Sequence, residues 1–131
     1  MNIAKIMTPK VCTVFLHEKN TVRLGYETMK QRGFTAIPVI DEEGHYIGCV
    51  TEGDFLRYLA EGQGRSLKDK TSIGDIIRKD FCRPVHIDAD EDEVTNAVLN
   101  QNFVPVVDSL DSLCGIVTRK KFIEFLAGRL D

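Results

Sequence analysis

The sequence predicts a mixed α/β fold of the α+β type, built twice from one plan. Two observations predict it: β-rich runs alternate with amphipathic helical segments, and the chain carries an internal duplication. With Pro38 set against Pro105, a spacing of 67 residues, the pairs Pro38/Pro105, Val39/Val106, Asp41/Asp108, Gly48/Gly115, Val50/Val117, Thr51/Thr118, Phe55/Phe122 and Leu59/Leu126 coincide without a gap. Eight identities in 22 positions compare with about one or two from ordinary composition. Upstream the likeness continues at shifted spacing, with Ile3, Ile6 and Met7 opposite Ile73, Ile76 and Ile77, and Cys12 opposite Cys82. The length of 131 residues, 43% hydrophobic, can bury one core or two half-size units that complete each other.

Within each half the order is short helix, strand, helix, strand, strand, helix. Val11 to Leu16 is a β-rich run. Thr21 to Arg32 places Val22, Tyr26 and Met29 on one helical face, and Gly33 suits a C-terminal cap because glycine adopts positive φ without steric cost. Ala36 to Ile40 and Tyr46 to Val50 are β-rich and joined by the turn Asp41-Glu-Glu-Gly44. Phe55, Leu56 and Leu59 then form an apolar helical stripe closed by Gly62, expected to be core. The second half gives strands at Val85 to Ile87, Val104 to Val107 and Leu113 to Val117, and a helical stripe at Phe122, Ile123, Leu126 and Leu130. Val22 precedes Pro38 by 16 residues but Val94 precedes Pro105 by only 11, so the second copy's first helix is expected to be shorter by a turn or more. Residues 1–61 and 72–131 form the two repeats, joined by a polar, glycine-punctuated linker over 62–71.

Seventeen basic against 20 acidic residues give a net charge of −3, and there is no Lys/Arg-rich run. Nucleic acid is therefore not expected as a partner, since neutralising phosphates needs a concentrated basic surface. No apolar stretch approaches the roughly 20 residues that span a bilayer, and the N-terminus lacks a signal peptide's apolar region. No membrane association and a cytoplasmic location are expected. Cys12, Cys49, Cys82 and Cys114 are far apart, with no C-x-x-C pair. They are expected to be reduced core residues rather than zinc ligands. His17, His45 and His86 share no partner spacing, so metal or general-base roles are not expected. The acidic run Asp88-Ala-Asp-Glu-Asp-Glu93 suits a helix N-terminus better than a metal site. No nucleotide-binding P-loop, dinucleotide fingerprint or nucleophile elbow occurs, and no nucleophile and base are paired, so an enzyme is not expected.

The repeated string, an apolar-Pro-apolar-apolar-Asp strand, a turn, then Gly-apolar-apolar-Thr and a helix, resembles the CBS domain, whose tandem pair is called a Bateman module. Ile6-Met7-Thr8-Pro9, Ile37-Pro38-Val39-Ile40-Asp41 and Gly48-x-x-Thr51-x-x-Asp54 carry the likeness, which covers essentially the whole chain. The resemblance implies two repeats of β-α-β-β-α plan packed about a pseudo-twofold axis, common homodimerisation, and clefts that bind adenosyl ligands such as AMP, ATP, S-adenosylmethionine or cyclic di-AMP.

Thr51-Glu-Gly-Asp54 stands at a strand-to-helix junction. Asp54 can accept from two vicinal ribose hydroxyls, with Thr51 beside it. Thr at the N-cap with Asp three residues on is equally what a helix wants for itself; the family signature, which uses this aspartate on ribose, favours the ligand role. In the second copy Lys121 replaces that aspartate, a departure from the family pattern. Arg119, Lys120 and Lys121 oppose the helix dipole, and a bound anion would offset that cost.

The resemblance further implies that Thr118, Arg119 and Lys120 face the segments holding Cys12, Thr13 and Val14, and Phe34, Thr35 and Ala36. This combination is similar to stand-alone CBS-pair proteins that bind cyclic di-AMP, with Phe34 stacking on adenine, Thr35 reading its edge, and Arg119 and Lys120 holding phosphates. Thr51 and Asp54 would face Cys82, Arg83 and Val85, and Asn102 and Phe103. The expected function is a regulatory module that senses an adenine nucleotide and signals to an unidentified protein target, with no cofactor required. The alternative is a CBS-pair interaction or dimerisation module without a nucleotide.

Overall fold

Each longer helix begins where a side chain can cap it. In the computed structural model, which describes residues 1–62, 70–78 and 80–129, Thr21 accepts from the Leu24 amide at 3.1 Å, Asp90 from Glu93 at 2.9 Å and Thr118 from Lys121 at 3.1 Å. Each such cap contributes about 1 kcal/mol. Residues 63–69, most of the expected linker, and Leu130 lie outside the described residues.

The chain divides into two compact units, one central in sequence, Val14–Phe81, and one terminal, Met1–Thr13 with Cys82–Asp131. The central unit holds β2 (Leu16–His17), α2 (Val22–Arg32), β3 (Ala36–Ile40), β4 (Tyr46–Thr51), α3 (Glu52–Ala60) and α4 (Ile73–Ile76). Its sheet order is β2-β3-β4, parallel at the first pairing and antiparallel at the second. Leu16, Val22, Met29, Ile37, Val39, Val50, Phe55, Tyr58 and Ile73 form its core. Gly33 ends α2 in the left-handed conformation, φ 67°, its amide returning to the Met29 carbonyl.

The terminal unit holds α1 (Ile3–Ile6), β1 (Thr8–Pro9), β5 (Val85–His86), α5 (Glu91–Asn100), β6 (Phe103–Val107), β7 (Leu113–Thr118) and α6 (Arg119–Ala127). Its sheet runs β1-β7-β6-β5. Its core joins Ile3 from the chain's start to Val94, Val98, Val104, Val106, Val117 and Phe122. Each repeat's opening helix thus packs in the unit formed mainly by the other repeat: Ile3 in the terminal core, Ile73 in the central one. The Ile73 amide also donates to the Asn20 carbonyl at 2.8 Å.

Several expectations need correction. Val11 to Leu16 is not one strand: Lys10–Cys12 form a 3₁₀ turn, Val11 is 92% exposed, and pairing begins only at Leu16. A β-rich composition does not make a strand where no edge is offered for pairing. The second copy's first helix is not cut by a turn, since α5 has 10 residues against 11 in α2. Val94 lies one turn inside α5, whose first residues are Glu91, Asp92 and Glu93; negative charge favours helix at that end.

The two last-helix stripes are only partly core, for Phe55 and Phe122 are buried whereas Leu56, Leu59 and Ile123 are exposed, as is Tyr26 on α2. Of the cysteines only Cys49 is buried; Cys12 is exposed, and Cys82 and Cys114 are half-buried. Burial pushes the Cys114 thiol up, with the Asp108 charge adding to it and Lys10 partly offsetting. Among the described residues no cluster of His, Cys, Asp or Glu is placed to hold a metal ion, and no helix is long and apolar enough to cross a membrane.

Candidate functional site

The strand β4 delivers Thr51 to the start of α3, where the capping role expected as the alternative for this motif is met in full. Thr51 accepts from the Asp54 amide at 3.3 Å, and Asp54 Oδ2 accepts from the Thr51 amide at 2.8 Å and the Thr51 hydroxyl at 3.0 Å, a reciprocal capping box. Asp54 is 1% exposed. A buried carboxylate needs its remaining lone pairs matched, and Oδ1 accepts from Arg57 Nη2 and from Arg78 Nε, the latter at 3.2 Å. Neither arginine was picked out from the sequence. Arg57 could have been found from its i,i+3 spacing on the predicted helix; Arg78, 24 residues on, had no local signal.

Beside this carboxylate lies a cavity of about 170 Å³ lined by Arg57, Tyr58, Glu61, Asp75 and Ile76. A larger apolar groove of about 420 Å³ runs between α2 and α3, lined by Tyr26, Met29, Phe34, Thr35, Phe55 and Leu56 among others. Phe34 and Thr35 are exposed, in the short connection from α2 to β3, and Ala36 pairs with Thr51 across β3 and β4. The Glu52 amide donates to the Thr35 carbonyl at 3.1 Å, tying this connection to the start of α3. Val14 packs against the central core.

The terminal unit repeats this junction with the charges reversed. Thr118 ends β7 and caps α6, and Arg119, Lys120, Lys121 and Glu124 stand where the first copy has Glu52, Gly53, Asp54 and Arg57. The Arg119 amide donates to the Asn102 carbonyl at 2.8 Å, the equivalent of the Glu52 to Thr35 bond. Arg119 Nε donates to the Val98 carbonyl at 2.8 Å and Nη1 to Asn102 Oδ1 at 3.0 Å. The guanidinium is therefore held in a fixed orientation at the end of α5, with further N–H donors still available. Lys120 is exposed beside it, and Phe103, at the start of β6, pairs with Thr118.

The other expected residues of this unit lie at its strand entrances. Cys12 is exposed in the 3₁₀ turn, and the Thr13 hydroxyl donates to the Pro9 carbonyl at 2.9 Å. Cys82 has φ 63°, Arg83 is exposed, and Val85 is half-buried in β5. The structure thus brings Thr118, Arg119, Asn102 and Phe103 together in one unit, and Thr51, Asp54, Thr35 and Ala36 in the other.

Comparison with known proteins bears on the duplicated plan. An uncharacterized protein of Methanocaldococcus jannaschii, MJ1404, is 29% identical over 136 residues, covering 95% of this chain and 32% of its own. The chain spans less than a third of the length of the curated relatives it matches. Among solved structures, CbpB in complex with c-di-AMP superimposes with a TM-score of 0.90 at 20% identity, covering 99% of this chain and 87% of that one. CBSX2 in complex with AMP gives a TM-score of 0.78 at 22% identity, with 99% and 98% covered. The model of the CBS domain matches twice, over residues 3–61 and 73–128, so both copies of the repeat are accounted for and the chain belongs to the CBS domain family.

Proposed function

We propose that this CBS pair is a non-catalytic regulatory module of the cytoplasm that binds an adenine nucleotide and passes the bound state to a partner protein. The observation that carries the reading is the charge reversal between its two equivalent helix starts. Glu52 and Asp54 agree with the dipole of α3, and Asp54 caps it; Arg119, Lys120 and Lys121 oppose the dipole of α6 and lack that cap. An anion beside Arg119 and Lys120 relieves an arrangement that the helix itself does not favour. The fold shared with CbpB crystallised with c-di-AMP and CBSX2 crystallised with AMP supports an adenine nucleotide as the ligand class.

In the terminal unit, Arg119 and Lys120 hold phosphate, with Thr118, Asn102 and Phe103 forming the adjoining wall and Cys12, Thr13, Cys82, Arg83 and Val85 at the strand entrances. In the central unit, Asp54 and Thr51 take ribose hydroxyls beside the smaller cavity, while Phe34, with Thr35 and Ala36 next in the chain, offers an aromatic face to adenine on the separate groove between α2 and α3, and Val14 packs against the core.

Thermal unfolding against AMP, ATP, S-adenosylmethionine, NAD and cyclic di-AMP tests this. A ligand at 100 times its Kd adds about 2.7 kcal/mol, a rise of several degrees in Tm at this chain length. Lys120→Ala, an exposed change that leaves the Arg119 anchors in place, is expected to cut the response to phosphate-rich ligands. No shift with any of these compounds at millimolar concentration overturns the proposal.

A second reading, a homodimerising module, is favoured by the apolar groove. Leu56 is 69% exposed beside exposed Tyr26, Phe34 and Leu59, a contiguous surface that a second copy would cover. Light scattering is expected to give a dimer mass for the native chain and a monomer for Leu56→Glu. A native monomer at all concentrations removes this reading.

A further inference from the structure

We infer that Arg78 is a built-in competitor for the ribose position on Asp54. The inference rests on the proposed role of Asp54 as a ribose acceptor. A carboxylate offers about four acceptor positions, and those of Asp54 are filled by the Thr51 amide, the Thr51 hydroxyl, Arg57 and Arg78. A vicinal diol cannot engage until a donor leaves.

Three of the four donors belong to α3 and its cap: the Thr51 amide and hydroxyl are set by the capping box, and Arg57, its side chain 47% exposed, lies one turn along the helix. Arg78 comes from the segment after α4, and at 3.2 Å it makes the longest of these contacts. Its side chain is 45% exposed, so its guanidinium has water within reach, whereas the side chain of Asp54 is wholly buried. The guanidinium can pair with water; the carboxylate must find replacement donors, which ribose hydroxyls supply. In the same position the Arg78 guanidinium carbon lies 3.9 Å from the centre of the Phe81 ring, a contact that rotation of the guanidinium off Asp54 need not break.

In the terminal unit both positions differ. At the spacing that aligns Cys12 with Cys82, Thr8 stands opposite Arg78, and Lys121 stands opposite Asp54. The unit without the aspartate is also without the arginine. A competitor of this kind sets the affinity of the site, since only molecules with Arg78 displaced are competent to bind and the apparent Kd rises in proportion.

The test is calorimetric titration of the native chain, Arg78→Met and Asp54→Asn with AMP, and with 2′,3′-dideoxy-AMP, which has no ribose diol. Arg78→Met is expected to bind AMP about 3–10-fold more tightly than the native chain, with no gain for the dideoxy compound. Arg78→Gln provides a second, polar replacement, and Tm measurements establish that each variant is folded. If Arg78→Met and Arg78→Gln bind AMP no more tightly than the native chain while Asp54→Asn weakens it, Arg78 is not a competitor and Asp54 remains the ribose acceptor. If Asp54→Asn binds AMP as the native chain does, or no form binds AMP, the ribose role of Asp54 fails and the inference fails with it.

Discussion

Phe122→Ala is expected to lower Tm by about 10–20 °C, while Ile123→Ala, one residue along the same helix, shifts it by no more than about 2 °C. Phe122 is 1% exposed in the terminal core, and Ile123 is 56% exposed. Removing a buried phenyl ring costs about 3–5 kcal/mol through lost transfer energy and the cavity left behind. At this chain length each kcal/mol corresponds to about 3–5 °C. Truncating a mostly exposed isoleucine forfeits little burial. Thermal unfolding of both variants followed by circular dichroism decides the matter, and equal shifts would contradict the assigned face of α6.

The second large effect concerns Gly115. A Cβ built there lies 2.2 Å from the Thr8 carbonyl oxygen and 2.8 Å from Met7 Cγ, because Pro9 pairs with Gly115 where β1 crosses β7. The obstacle is backbone and cannot yield without opening that pairing. Gly115→Ala is expected to cost about 1–3 kcal/mol as an overpacked contact, lowering Tm by about 3–15 °C. Hydrogen exchange should quicken where β7 pairs with β1 and stay slow across β3 and β4. The control is Gly53→Ala on α3, where the nearest neighbouring atom is 3.7 Å away and alanine is the better helix former by up to about 1 kcal/mol. A Gly115→Ala protein as stable as the native chain would mean that β1 does not sit against β7.

Much of the candidate site is legible in the residue order alone. Thr51-Glu-Gly-Asp54 marks one helix start and Thr118-Arg-Lys-Lys121 its basic counterpart, because capping depends on residues three apart and on the sign of nearby charge. The two arginines on Asp54 are not accessible in the same way. Arg57 follows helical spacing, but Arg78 reaches the carboxylate only because α4 returns to pack against α2 and β2.

The acidic residues Glu91 to Glu93 show the converse, for their charge points to a helix end and they form the first turn of α5. The apolar stripes are legible as stripes but not in their facing. Period alone defines an apolar face at least about 100° wide, and Phe122 and Ile123 both fall near it; the neighbours offered by β6, β7 and α1 select one of them.

The duplicated plan, the helix caps, the left-handed glycine at position 33, the strand pairs around Pro38 and Pro105 and the opposite charges of the two helix starts are all written in the order of residues. Each rests on interactions within a few residues or on comparison of one half with the other. Three features instead come from packing across the chain: Ile3 and Ile73 each enter the unit built mainly from the other repeat, Gly115 must admit a strand from the start of the chain, and Arg78 closes the ring of donors around Asp54. Those outcomes depend on which distant segment fills a given core or edge, a choice made by close packing and by the cost of leaving a buried polar group unmatched, which no local pattern encodes.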